Sequence, residues 1–397
     1  MKYIIKENKM VLEKVNKMNL EELKRLSLPE IGKTHYINNH IHTCHSFSPY
    51  SPTEAVYTAY INGLATAGIV DHDTTAGARE FIEAGKIIGM PITVGAECRI
   101  DMSRTKLNGK RLNNPDQISV AYVAMHGIPH SNIEKVDEFF APYREKRNIR
   151  NRGMIENINR LTESFGILLN FERDVLPLSV TSVTERHLLF ALTKKITARY
   201  TAPADVVAYM KEVMGIPVSE KAEINILNGD KTPEYYEYDI LGVLKSGLVE
   251  KIYIPATDEL PDVMEYTDMV RKYGGISAYA YLGDVGSSVT GDKKAQKFED
   301  DYLEDLFDVI GEYGFDAVTF MPTRNTPEQL DRLMALCKKR HFFQISGEDI
   351  NSPRQKFVCP AYDNPKFAHL VDAAYTLIKY EELADTDRKA ARELIKA

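Results

Sequence analysis

Two histidines alternate in a polar segment near the start of the chain, Asn39-His40-Ile41-His42-Thr43-Cys44-His45-Ser46. Residues two apart in an extended strand point to the same face, so the imidazoles of His40 and His42 can bind one metal ion together. The residues from 46 to 52 are typical of a loop that ends in a helix cap. Taken alone, the pair is equally consistent with two structural histidines, so its interpretation depends on the rest of the chain.

Further acidic residues and histidines stand at the ends of later strand-like segments. With the first pair they make up this set of candidate ligands: His40, His42, Asp71, His72, Glu97, His126 and Asp349. Imidazole and carboxylate groups are the ligands that zinc, manganese and iron share. Two such ions about 3.5–4 Å apart can hold a bridging hydroxide and bind a phosphate for in-line attack. The sequence therefore predicts a metal centre built from several strand ends.

The segments between these residues alternate between strands and helices. A capping box, Ser51-Pro52-Thr53-Glu54, begins a helix that is predicted to reach about Asn62. Strands are predicted to end near Val70 and Val94, with a helix between them at 76–88. Parallel α/β sheets and barrels carry their sites at the carboxyl edge of the strands. We therefore expect an α/β fold in which the candidate ligands meet at one edge.

Composition and charge exclude several classes of protein. With 44% hydrophobic and 27% charged residues, the chain has the composition of an ordinary soluble protein. The net charge of −7 argues against attraction to long nucleic acid or to an anionic membrane. There is no run of about 18 apolar residues, and the first residues are too charged for a signal peptide. The cysteines show no CxxC spacing, which favours reduced thiols and a cytoplasmic location: Cys44, Cys98, Cys337 and Cys359.

The motifs resemble those of the polymerase-and-histidinol-phosphatase (PHP) superfamily, and in particular those of its branch that hydrolyses nucleotide phosphoesters. The resemblance covers about residues 35 to 355. The segments that carry it are the H-x-H-T segment His40–Phe47, the D-H-D segment Asp71–Asp73, the G-x-E segment Gly95–Glu97, the segment Glu185–Leu192 around His187, and the segment Gly347–Asn351 around Asp349. It implies a distorted (β/α)7 TIM-like barrel with an inserted helical subdomain.

The resemblance also divides the chain into parts. The arginines between 144 and 160 are predicted to lie mostly on a solvated helix face, and the basic loop at 101–116 is either solvated or a flap over an anionic substrate. The parts into which the resemblance divides the chain are an N-terminal helical arm at 1–34, the first part of the barrel at 35–133, a helical insertion at 134–220, the second part of the barrel at 221–360, and a C-terminal helical tail at 361–397.

A centre of two or three metal ions is implied as well. The residues expected to bind the first ion are His40, His42, Glu97 and Asp349. Glu97, His187 and a histidine after the next strand are expected to bind the second ion. For that histidine three positions stay open: His126, which we prefer, Tyr122, where a gapless match places it, and His130.

Most of the ligands that the family uses for a third ion are replaced in this chain, where only His72 clearly remains and His45 stands close enough in the sequence to substitute. Phe47 stands where the first motif has an aspartate, and Asn351 stands where the last motif has a histidine. The family's strand motif A-H-P is also replaced here, and Tyr281 stands at the histidine position. We therefore expect two divalent transition-metal ions, of zinc, manganese or iron.

The implied function is a metal-dependent phosphoesterase that acts on a small phosphorylated metabolite or nucleotide through a metal-bridging hydroxide. His72 or Asp71 would protonate the leaving group. The residues expected to bind phosphate oxygens are Arg186, Arg324 and Arg354. A dinuclear amidohydrolase is the second possibility, because the same hydroxide can attack a carbonyl carbon. The third is a barrel that binds a metal or ligand without turnover, which the residues at positions 47, 281 and 351 favour.

Overall fold

The computed structural model of the chain describes residues 18–32, 34–286 and 296–396. Within them, one sheet contains the strands β1 (Ile37–Ile41), β2 (Thr66–His72), β3 (Ile92–Asp101), β4 (Val120–His126), β5 (Ile276–Ala280), β6 (Ala317–Phe320) and β7 (Phe343–Ser346) in chain order. Beyond β7, Ile350 forms a parallel bridge with Ile41, and the His42 amide donates to the Ile350 carbonyl at 2.9 Å. The edges of the sheet therefore meet there. This nearly closed barrel confirms the predicted fold class.

Strand β4 runs in the opposite direction to both of its neighbours. Its register pairs Ala124 with Glu97 and Tyr122 with Arg99 on one side, and His126 with Ile276 on the other. All other neighbouring strands are parallel. The carboxyl end of β4 therefore lies at the amino edge of the barrel. The strand itself was predicted, but the expectation that His126 marks the same edge as the other strand ends is wrong.

Helices surround the barrel and form a second layer beside it. Those of the described residues are α1 (Leu20–Arg25), α2 (Pro52–Ile61), α3 (Ala78–Ile88), α4 (Ile133–Thr162), α5 (Glu185–Arg199), α6 (Pro203–Ala208), α7 (Glu220–Leu227), α8 (Pro233–Ile252), α9 (Val263–Tyr273), α10 (Leu303–Glu312), α11 (Pro327–Arg340), α12 (Ala368–Ala384) and α13 (Arg388–Leu394). The predicted capping box of α2 is present, since the Ser51 hydroxyl accepts from the Glu54 amide at 3.1 Å.

The helices α5 to α8 share a hydrophobic cluster with the second half of α4. Its members range from Met154 to Ile252 and include Phe47, which follows β1 in the chain. The helical layer thus continues beyond residue 220, where the sequence placed the end of the insertion. It does so because α8 packs against α5 and buries one side of each helix. Phe47 joins this layer to the barrel.

The N-terminal arm predicted at 1–34 is described at 18–32 and at 34, and residues 1–17 and 33 lie outside the described part. The Asn19 side chain accepts from the Glu22 amide at 3.0 Å and so caps the amino end of α1. The Met18 amide donates to Glu54 on α2 at 3.2 Å, which fastens the arm to the barrel. Among the described helices, none is long and apolar enough to span a membrane.

A buried carboxylate of helix α12, near the C-terminus, binds this helix to the barrel. Glu381 accepts the Val94 amide of β3 at 2.8 Å and pairs with the His130 imidazole at 2.6 Å. Burial raises the pKa of Glu381 to about 7. His130, one of the candidate metal ligands, is therefore used in this contact with α12.

We expect Glu381→Ala to lower the free energy of unfolding by about 1–3 kcal/mol, because the Val94 amide then lacks an acceptor inside the protein. Urea denaturation at neutral pH measures this. Glu382→Ala, on the exposed side of the same helix, is the control and should change stability by less than about 0.5 kcal/mol. Equal midpoints for the two variants would contradict the role given to Glu381.

Candidate metal centre

Two histidines of the first motif and two carboxylates meet at the carboxyl edge of the barrel. His40 Nε2 lies 3.7 Å from Glu97 Oε1, and His42 Nε2 lies 3.6 Å from Glu97 Oε2. His42 Nε2 is also 3.4 Å from Asp349 Oδ1. Asp349 follows β7 and reaches this place because the bridge at Ile350 closes the barrel against β1. The structure thus brings together the four residues expected for the first ion.

The imidazole nitrogens of this group are buried without a partner. Neither His40 Nε2 nor His42 Nε2 has a hydrogen-bond partner among the described residues. Burying a polar atom without a partner is unfavourable, and such atoms in a native site call for an explanation such as a bound ion. Two imidazole nitrogens and two carboxylates form a donor set that suits zinc, manganese or iron. The residues present therefore fit a divalent transition metal.

The charges in the site also favour a cation. Burial acts to raise the pKa of Glu97, but His72, His40 and His42 outweigh it and lower that pKa to about 2. Burial acts in the same direction on Asp349, and the nearby His42 and His40 hold its pKa well below the usual range. Both carboxylates are therefore anionic at neutral pH, which matches the charge of one divalent ion.

A chain of hydrogen bonds orients His42. Asp71 accepts from the Thr43 amide at 2.7 Å and from the Thr43 hydroxyl at 2.5 Å. It also accepts from the Ser46 hydroxyl at 2.6 Å, and that hydroxyl lies 3.4 Å from His42 Nδ1. Because Ser46 donates to Asp71, its oxygen can accept from Nδ1–H, which leaves the Nε2 lone pair free for a metal. Asp71, predicted to be catalytic, is used here to position a ligand.

His72 lies beside the same carboxylate but at the mouth of the cluster. Its Nδ1 is 3.1 Å from Glu97 Oε2, and its ring centroid is 4.6 Å from that of His42. Burial lowers the pKa of His72 to about 4. The imidazole is therefore neutral at pH 7, which does not support the expectation that His72 donates a proton near neutral pH.

Within the described residues, two groups of ligand atoms lie close enough to share an ion: those of His40, His42 and Asp349, and those of His42, His72 and Glu97. The residues expected to bind a second ion are not brought together as those expected for the first ion are. His126 faces the barrel interior two residues from Ala124, on the amino side of Glu97, because β4 is antiparallel. Tyr122 lies on the carboxyl side of Glu97 along β3 and lines the cleft, and its ring centroid is 6.1 Å from that of His72.

His187, the other residue expected to bind a second ion, is engaged in capping α5. Its Nδ1 accepts the Thr184 amide at 3.0 Å, and its ring packs against that of Phe47 with centroids 4.9 Å apart. A neutral imidazole that accepts at Nδ1 carries its proton on Nε2. Burial lowers the pKa of His187 to about 3, so the ring is neutral. His187 therefore has neither nitrogen lone pair free, in contrast to His42.

A cleft of about 180 Å³ opens above the centre, and its wall includes parts of the barrel and of the helical layer. Two of the predicted phosphate-binding residues, Arg186 and Arg324, line it together with Lys245 of α8. The third, Arg354, does not line the cleft. Its guanidinium pairs with Asp239 at 2.6 and 2.7 Å and lies over the Tyr235 ring. The expectation that Arg354 binds phosphate is therefore not supported by its position.

A cluster of buried arginines forms one wall of the cleft, and sequence reasoning missed it. The arginines Arg99, Arg147 and Arg150 are paired with the carboxylates Asp73, Glu185 and Glu259. Arg147 and Arg150 lie on the helix α4 that was predicted to present a solvated face, yet both are buried. Arg99 alternates with Glu97 on β3, and that spacing was the available signal. We call these six residues the arginine cluster.

Comparisons with known proteins agree on the fold. No protein-family profile matches the chain. A stretch of 58 residues, 15% of the chain, is 40% identical to a 5'-3' exoribonuclease of Haemophilus influenzae and spans 21% of that protein. A Bifidobacterium adolescentis structure, provisionally assigned as a metal-dependent phosphoesterase, is 22% identical, with a TM-score of 0.54 over 84% of this chain and 94% of that one.

A second solved structure is similar to a comparable extent. It is an amidohydrolase from Chromobacterium violaceum with bound SO4 and no metal. It is 15% identical, and the match covers 84% of this chain and 96% of that one with a TM-score of 0.52. Both likenesses extend over most of the chain, so the barrel with its helical layer is a fold that this chain shares with known proteins.

We expect Asp71→Asn to weaken metal binding about 10- to 100-fold, since it disturbs the hydrogen bonds that orient His42. Calorimetric titration of the metal-free protein with Zn²⁺ or Mn²⁺ measures this. Asp316→Asn is the matched control, because Asp316 accepts from the amide and hydroxyl of Ser277 at 2.9 and 3.0 Å, well away from the centre. Equal affinities for both variants would argue against the positioning role.

Proposed function

We propose that this chain is a metal-dependent phosphoesterase that hydrolyses a small phosphorylated metabolite or nucleotide. The observation that carries the proposal is the pair of buried, unpartnered nitrogens of His40 and His42 beside two anionic carboxylates, Glu97 and Asp349. A divalent ion held by these residues acts as a Lewis acid and lowers the pKa of bound water. The proposed location is cytoplasmic, because the cysteines of the described residues are not joined in disulfides.

The rest of the cleft supports an anionic substrate. Arg186 lies near the amino end of α5, and its guanidinium lies over the Phe47 ring. It also interacts electrostatically with Asp349. Its guanidinium can bind phosphate oxygens at two points. The cleft is smaller than the roughly 300–1,000 Å³ of typical pockets for drug-sized ligands. Together with the net charge of −7, this favours a small phosphorylated substrate over long nucleic acid.

Side chains around the ion site hold one another in place. His42 and Asp349 fix one side of the ion site, and Glu97 closes the other side while keeping His72 within 3.1 Å. His72 can accept a hydrogen bond or a proton from a group in the cleft, because its imidazole is neutral and its side chain is 24% exposed. We propose that His72 orients a group in the cleft by accepting a hydrogen bond from it, while Asp71 orients His42.

Amide hydrolysis is the alternative that a specific observation favours. The similar Chromobacterium violaceum structure is named an amidohydrolase, and a metal ion held by the same residues would also polarise a carbonyl group. We rank it second, because the exoribonuclease and the phosphoesterase among the similar proteins both bear names of phosphoester-cleaving enzymes. The sulfate bound in the amidohydrolase structure is itself a phosphate-like anion.

Glu97→Gln should abolish phosphoester hydrolysis while the protein stays folded, because glutamine keeps the size of the side chain but loses its charge. The assay is a panel of phosphomonoesters, nucleotides and amides with added Mn²⁺ or Zn²⁺, run beside a thermal melt. Hydrolysis of amides alone by the wild-type protein would decide for the amidohydrolase. A Glu97→Gln variant with unchanged turnover would sink the metal role of Glu97.

Arg186→Ala should raise the KM for the phosphorylated substrate about 10- to 100-fold, the equivalent of one charged hydrogen-bonding contact of roughly 1.5–3 kcal/mol. Arg354→Ala is the control, because Arg354 lies outside the cleft and pairs with Asp239. Its KM should stay close to that of the wild-type protein. Steady-state kinetics of the two variants test the assignment, and an equal rise of KM in both would contradict it.

A further inference from the structure

Beside Glu97, the cleft is lined by carboxylates that already form ion pairs with arginines. Asp73 follows His72 in the chain and forms an ion pair with Arg147, and both are buried. Glu185, at the start of α5, pairs with Arg150 and lies 3.6 Å from Arg99 Nη1. These two acids line the cleft beside Glu97, at the place where further anionic ligands of a second ion would have to come from.

The third carboxylate of the arginine cluster completes its neutralisation. Glu259 Oε1 accepts from Arg99 Nη2 at 2.6 Å, and Glu259 Oε2 lies 2.7 Å from Arg150 Nε. Three guanidinium groups therefore face three carboxylates. Such a buried cluster is self-neutral, and removing one partner leaves an uncompensated charge. Each of its acids already carries an ion pair to an arginine, so its charge is compensated inside the cluster.

Apart from His72, whose Nδ1 lies 3.1 Å from Glu97, the neutral side chains on this side of the cleft are equally unsuited to a second ion. His187 accepts a hydrogen bond at Nδ1, so its Nε2 carries the proton and offers no lone pair. Tyr122 stands opposite Arg99 in the register of β3 and β4, where it offers a phenol. Phe47 packs against His187 and offers no donor atom. By contrast, His40 and His42 both present an unpartnered Nε2 to the centre.

We infer that the centre holds one divalent ion per chain, and that the arginine cluster occupies the side on which a second ion would bind. This inference rests on the proposed function only in requiring that His40, His42, Glu97 and Asp349 bind a metal. Arg99 is the residue that links the cluster to the centre, since it alternates with Glu97 on β3 and lines the cleft. Its guanidinium supplies a fixed positive charge beside the single ion.

The first test counts the ions. Metal-free protein is titrated with Mn²⁺ by calorimetry, and bound manganese is measured by elemental analysis after gel filtration. We expect one ion per chain in the wild-type protein, none in His42→Ala, and the electron paramagnetic resonance spectrum of an isolated Mn²⁺. Two ions with a spin-coupled spectrum would overturn the inference while leaving the proposed function intact. No bound ion would overturn the proposed function and this inference with it.

The second test asks whether Arg99 excludes the second ion. Tyr122→His supplies an imidazole opposite position 99, and alone it should still bind one ion, because the arginine cluster remains neutral. Combined with Arg99→Ser, it should bind close to two ions, because the cluster then carries one uncompensated negative charge. Circular dichroism and a thermal melt check that each variant is folded. A folded double variant that still binds one ion would overturn the role given to Arg99.

Discussion

The site depends on one buried carboxylate, Glu97, which three imidazoles approach from two neighbouring strands. His40 and His42 come from the end of β1 and His72 from the end of β2, and each has a ring nitrogen within 3.1–3.7 Å of Glu97. Removing these groups from water is costly, and their mutual attraction offsets only part of that cost. A divalent ion at this place would supply the missing positive charge, and it would explain why the imidazole nitrogens are buried without a partner from the chain.

Proton positions distinguish the histidines of the site. Asp71 and Ser46 direct the proton of His42 to Nδ1, so the lone pair at Nε2 points to the centre. At His187 the Thr184 amide does the reverse, because it donates to Nδ1 and leaves the proton on Nε2. Two buried imidazoles a short distance apart thus have opposite capacities for metal binding. The difference arises from one backbone amide and one hydroxyl, and residue type alone does not reveal it.

The helical layer is more than a cover for the barrel. Its helix α4 contributes Arg147 and Arg150 to the arginine cluster, while α5 contributes Glu185 and the barrel contributes Arg99. These ion pairs cross the boundary between the two hydrophobic clusters, so they orient the helical layer relative to the centre. The layer also brings Arg186 of α5 and Lys245 of α8 to the cleft wall. The layer therefore sets both the charge and the width of the cleft above the centre.

The sequence by itself predicted an α/β fold and the positions of most strands, and the resemblance of its motifs to a known family implied the barrel and the four residues that the structure brings together at the centre. It could do so because strand periodicity and capping boxes are local, and because the ligands follow strand ends in recognisable motifs. Only the tertiary structure decided where His126 and Arg354 lie, because the direction of β4 and the partner of a surface arginine depend on segments distant in the chain. The same holds for the burial of Arg147 and for the tautomer of His187. A helical pattern cannot distinguish a solvated arginine from one whose charge is neutralised by two carboxylates from distant parts of the chain, and that neutralisation exists only once the barrel and the helical layer have packed together.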